Sequence, residues 1–119
     1  MTSPRIEQFK KLVEIEPSEI TFFGLGRACM DEGYFEEAAE AFRKAIELKP
    51  DYTAVYLLLG ESLQHLNRPE EAMQVYEQGV QVGERTRDEI PKHKMEKRLK
   101  RLKKGGASSS EPQEEQTDS

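Results

Sequence analysis

The sequence predicts an all-α protein, an α-solenoid of stacked helix-turn-helix repeats with a capping helix at each end. Two observations predict it. Phe22, Leu25, Gly26, Cys29, Ala38, Phe42 and Ala45 form a frame that returns 34 residues later as Tyr56, Leu59, Gly60, Leu63, Ala72, Tyr76 and Gly79. A fixed period of that length is the mark of a helical repeat. Within each copy the apolar residues also fall at i, i+3, i+4 and i+7, the spacing of one helix face. A helix pair with such faces cannot bury them alone, so copies stack.

The first segment, residues 3–17, reads as a helix with Ser3 as its N-cap and Pro4 at its first position. Phe9, Leu12, Ile15 and Pro17 repeat the spacing of Phe42, Ala45, Leu48 and Pro50. The segment is therefore expected to act as a half repeat that caps the stack. Its link to Phe22 is one residue shorter than the link from Pro50 to Tyr56, so its docking is expected to differ.

Repeat one occupies 19–52 and repeat two 53–86, with helices expected near 19–31, 35–48, 53–66 and 69–82. Asp31-Glu32-Gly33-Tyr34 breaks the first pair, and Gly33 accepts a left-handed backbone. Gly26 and Ala38 are small where two antiparallel helices approach, and Phe42 fills the space beside them. Pro50 stops the second helix. Glu36, Glu37, Glu70 and Glu71 complement helix dipoles at N-termini, with Pro69 suited to a first turn.

The character of the chain changes after Gly83. Residues 1–84 carry 8 basic against 16 acidic side chains, residues 85–104 carry 10 against 3, and residues 105–119 carry none against 4. Met95, Leu99 and Leu102 keep helical spacing through the basic block. A terminal helix over 89–104 follows, with Asp88 before it, Pro91 in its first turn and Gly105-Gly106 at its end. The acidic remainder has little to bury and is expected to be disordered.

At this point the residues resemble a known family. Phe22, Leu25, Gly26, Ala38, Phe42, Ala45 and Pro50 are similar to the signature of the tetratricopeptide repeat, and the second copy resembles it too. Phe22 and Tyr56 stand where that family usually has Trp, and Cys29 and Leu63 where it has Tyr. Gly79 replaces the usual Ala and Glu84 the usual Pro. The resemblance covers about residues 19–86. It implies a protein-interaction module whose first helices line a concave peptide groove. The residues facing that groove would be Ile20, Phe23, Gly24, Arg27, Met30 and Asp31, then Ala54, Leu57, Leu58, Glu61, Gln64 and His65. Some members hold a peptide's terminal carboxylate with Lys and Asn. The matching positions here are Phe23, Arg27, Leu58, Asp88 and Lys92, a set that does not support that role.

The expected function is thus a non-catalytic adaptor that binds an apolar or amphipathic peptide segment. Ile20, Phe23, Leu57 and Leu58 would anchor the ligand, with Arg27, Glu61 and His65 selecting among ligands. The alternative is that the terminal helix covers this face within the chain. A second class of reading gives Lys92, Lys94, Lys97, Arg98, Lys100, Arg101, Lys103 and Lys104 to nucleic-acid phosphates. Basic runs are common, however, and no aromatic stacking residues accompany this one. Self-association is the third reading. The acidic segment is expected to solubilise, the competing reading being a fold-back onto the basic helix.

Composition limits the remaining classes. The 119 residues suit one domain, and 35% hydrophobic with 34% charged suits a soluble helical protein. No apolar run approaches the roughly 18 residues of a membrane span, and the N-terminus lacks the apolar core of a secretion signal. A single cysteine fits a reducing compartment, and a cytoplasmic location is expected. Cys29 occupies a core position and reads as an inert thiol. His65 and His93 lack metal spacing, and Gly24 and Gly26 lie within a helix rather than a phosphate loop. No cofactor, no metal and no catalysis are expected.

Overall fold

In the computed structural model, residues 3–105 are described, and the expectations for the acidic segment beyond them fall outside these residues. Six helices, with no strand among the described residues, run in the order α1 (Pro4–Ile15), α2 (Glu19–Asp31), α3 (Phe35–Leu48), α4 (Thr53–His65), α5 (Pro69–Thr86) and α6 (Glu89–Gly105). Each packs on its chain neighbour, and α6 also reaches back to α4.

Local chemistry sets most of the boundaries. The Ser3 hydroxyl accepts the Ile6 N–H at 3.3 Å and starts α1 ahead of Pro4. Ser18 and Thr21 cap α2 reciprocally, each backbone N–H donating to the other's hydroxyl. The turns inside the two repeats are superimposable in their bonding. Tyr34 N–H donates to the Cys29 carbonyl and Arg68 N–H to the Leu63 carbonyl, both at 2.9 Å. Gly33 (φ 89°) and Asn67 (φ 65°), 34 positions apart, take the left-handed backbone that each turn needs.

Side chains then lock the helix pairs. Phe42 packs against Gly26, so that a methyl there would fall 2.4 Å from the ring. Tyr76 does the same over Gly60, at 2.2 Å. Both aromatics are fully buried, and the Tyr76 hydroxyl donates to Gln64 Oε1 at 2.6 Å. The repeats join where Tyr56 donates to the Pro50 carbonyl at 2.7 Å and Arg85 pairs with Asp51 at 2.9 Å.

Two expectations need correction. The second helix of repeat two continues to Thr86 rather than ending near 82. No proline matches Pro50 in that copy, and α5 stops only where Arg87 turns left-handed (φ 64°) and Asp88 N–H returns to the Gly83 carbonyl. Secondly, Gly24 and Asp31, expected to face the open groove, meet α1 instead. Its Phe9 ring rests on Gly24, where a methyl would come within 2.2 Å, and its Arg5 pairs with Asp31 at 3.0 Å. α1 thus covers that part of α2, as α3 meets the end of α4 where Phe35 stacks on His65.

Candidate functional site

On the α2–α4 face the groove residues meet different fates. Ile20 is 66% exposed at the start of α2. One turn on, Phe23 is half-buried, its ring 5.3 Å from Tyr52 and 6.2 Å from Phe42. Arg27, a turn further, is exposed, and Leu58 is half-buried. These four remain available for contact. Leu57 is 9% exposed and belongs to the core, a correction to its expected role as an anchor. Glu61 is engaged by Arg98 of α6 at 2.8 Å, so α6 does cover part of this face. His65 is stacked on Phe35 with centroids 4.2 Å apart, which fixes it against α3.

A second concavity was not anticipated. Phe22, Leu25, Cys29 and Ala41 floor a cleft of about 480 Å³ between α1, α2 and α3, rimmed by Lys10, Glu37, Glu40, Arg43, Lys44 and Glu47. Phe22 and Leu25 are half-buried there, and nothing in the periodicity separates them from their sealed counterparts Tyr56 and Leu59. Burial is the main influence raising the Cys29 thiol pKa, with Glu37 adding to it and Lys10 opposing. The thiol is therefore kept protonated, which is unlike a nucleophile.

Along α6 the basic side chains separate into two groups. Lys92 packs its β-carbon against Gly83 and its ammonium between Glu89 (3.6 Å) and Glu96 (3.7 Å), so it does not join the expected patch. Lys94, Lys97, Arg98 and Arg101 converge with Glu61 on a cleft of about 210 Å³. Lys97 and Arg101 are shared with an adjoining cleft of about 320 Å³ whose other walls are Lys100 and Lys104. Lys103 reaches toward Glu77 instead, at 3.9 Å.

The tetratricopeptide repeat family model matches residues 30–87. A TPR repeat-containing protein of Pseudomonas aeruginosa, PA0015, is 34% identical over 80 residues, a match covering 67% of this chain and 76% of that protein. The chain belongs to the tetratricopeptide repeat family. The protein O-mannosyl-transferase Tmtc3 of Drosophila melanogaster is 35% identical over 69 residues, but the match spans only 8% of its length against 58% of this chain. Among solved structures, protein BPP2914 of Bordetella parapertussis superposes with a TM-score of 0.75 at 23% identity, over 90% of this chain and 93% of that one.

As a tetratricopeptide repeat protein the chain is a protein–protein interaction module in the general sense. Among the described residues no group of three or more His, Cys, Asp and Glu is placed to hold a metal ion, and no helix is long and apolar enough to cross a membrane. The family's carboxylate-holding positions carry Phe23, Arg27, Leu58, Asp88 and Lys92 here. With Lys92 turned toward Glu89 and Glu96, Arg27 is the only one of the five that offers a cation to the groove.

Proposed function

We propose that this chain is a non-catalytic adaptor that takes an apolar or amphipathic segment of another protein across the α2–α4 face. One observation carries the reading: Ile20, largely exposed, continues into the half-buried Phe23, whose ring is held in place by Tyr52. An exposed aliphatic side chain beside a pre-positioned aromatic is what an amphipathic partner buries at little conformational cost. Leu58 extends the strip onto α4, and Arg27 gives it a charged end. The buried, protonated Cys29 suits a reducing setting such as the cytoplasm.

The test compares the native chain with Leu58→Glu and Ile20→Glu in nuclease-treated pull-downs, with circular dichroism confirming the fold. Partners held by the native chain and lost from both folded variants support the reading. Identical partners on all three chains overturn it.

A further inference from the structure

The cleft between α1, α2 and α3 is separate from the apolar strip, and the second repeat shows what is missing from it. Cys29 and Ala41 lie on its floor, and 34 residues on their places are taken by Leu63 and Val75. Those larger side chains are 0% and 9% exposed and help to seal the same place in repeat two. The mouth differs as well. Arg43 of α3 reaches across to Glu71 of α5 at 3.5 Å. One repeat earlier the corresponding residues are Lys10 of α1 and Glu37 of α3, and these form no ion pair among the described residues. Glu40, one turn from Glu37, has none either, whereas Lys44 is matched by Glu47 at 3.6 Å. The rim therefore leaves two carboxylates against the single ammonium of Lys10. We propose that this cleft is a small-molecule site for an aliphatic amine, its chain lying on Phe22, Leu25 and Ala41 and its ammonium between Glu37 and Glu40.

Three features select that chemistry. The cleft of about 480 Å³ falls within the range that small organic ligands occupy, about 300–1,000 Å³. Its floor is open where the second copy places branched aliphatic groups, so methylene and methyl groups fit it and gain by leaving water. The Cys29 thiol at the bottom is 1% exposed, makes no hydrogen bond among the described residues and packs as a small apolar group. At the mouth, Glu37 and Glu40 are exposed and meet a cationic head without any movement of the core. An anionic head would meet two charges of its own sign. The site is also independent of the first. At 3.6 residues per turn, Phe22, Leu25 and Cys29 fall on nearly the opposite side of α2 from Ile20, Phe23 and Arg27, so a bound amine leaves the α2–α4 face open.

The test titrates n-octylamine into the full chain near neutral pH and follows backbone amide shifts, with octanol and octanoate as the neutral and anionic probes of the same length. Octylamine should move the amides of Leu25, Cys29 and Ala41 saturably and bind about fivefold more tightly than octanol, the increment that exposed ion pairs supply. Octanoate should bind more weakly than octanol. Glu37→Gln with Glu40→Gln should remove the preference for the amine. Cys29→Leu with Ala41→Val gives repeat one the side chains of repeat two and should abolish binding of all three probes, with circular dichroism confirming the fold. Should that variant fail to fold, the glutamine pair, which touches no core position, still decides the matter. Octanoate bound as tightly as octylamine, shifts that do not saturate, or shifts centred on Ile20, Phe23 and Leu58 overturn the proposal. So does a folded, filled variant that binds octylamine as the native chain does. Leu58→Glu should leave octylamine binding unchanged, so the result stands apart from the fate of the apolar strip.

Discussion

Repeat one and repeat two share a frame, yet the same positions are half-covered in one and sealed in the other. Phe22 and Leu25 line an open cleft, whereas their counterparts Tyr56 and Leu59 are 6% and 3% exposed. The difference lies in the neighbours. Repeat two is packed between α3 on one side and α6 on the other, with Met95 seated over Gly79 beside Tyr56. Repeat one has α1 ahead of it, whose Phe9 meets Gly24 and whose Arg5 meets Asp31, and this packing leaves Phe22 and Leu25 half-covered. In a repeat protein, burial is thus assigned by position in the stack as much as by the residue.

The largest expected effect breaks this comparison directly. Leu59→Ala removes a buried side chain from a sealed interface and should cost about 3 kcal/mol in urea denaturation. Leu25→Ala removes the equivalent side chain from the wall of a cleft and should cost about half as much or less. Equal losses would mean that the cleft closes in solution and that the two repeats are alike.

Much of this was legible in the sequence. The period placed four helices, the small-residue positions and both ring-over-glycine contacts, because those depend on short-range spacing that each copy states twice. Gly33 foretold its turn, and Asn67 was the less obvious second instance. The groove was less legible. Leu57 and Phe23 are equivalent in the 34-residue frame, yet Leu57 is buried and Phe23 half-buried, and α6 folds back onto α4. Lys92 looks like its basic neighbours until α5 runs on to Thr86 and presents Gly83 to it. Each miss concerns how a terminal helix docks, which the periodicity within a repeat does not record.

Alkaline pH should sharpen the comparison, because each repeat holds neutral groups whose ionisation the fold resists, Cys29 and Tyr52 in the first and Tyr56 and Tyr76 in the second. Burial raises Cys29 from its usual 9.0, and burial also raises Tyr76 from its usual 10.0. Both ionise more readily once unfolded, so their contribution is whole below about pH 9 and is lost as pH climbs. The urea midpoint should be level from about pH 7 to 8.5 and fall above that. Cys29→Ala should soften the earlier part of the fall and leave the tyrosine part. Alkylation of Cys29 at pH 8 should be far slower in the folded chain than in urea. Rapid alkylation in the folded chain would show that the cleft of repeat one opens to its floor.

The docking of α6 rests partly on Glu61 and Arg98, whose side chains are 20% and 31% exposed. A double-mutant cycle with Glu61→Gln and Arg98→Met should give a coupling of about 1 kcal/mol, above the usual surface pair because both groups are partly withdrawn from water. Coupling near zero would leave Met95 and Leu102 as the main attachment of α6.

The smallest expected effect concerns a position where the repeats differ by one oxygen atom. Ser62 stands where repeat one has Ala28, and both are fully buried. The Ser62 hydroxyl has no hydrogen-bond partner among the described residues. Placing that hydroxyl in the core forgoes its bonds to water without replacing them. Ser62→Ala removes the uncompensated group, raises helix propensity and leaves a side chain that the equivalent site already accommodates. The variant should be more stable by about 0.5–1 kcal/mol, read as a shift in urea midpoint at unchanged slope. A loss of stability would show that the hydroxyl is bonded in solution, and that the two repeats are not interchangeable at their α3–α4 and α1–α2 positions even where their burial is the same.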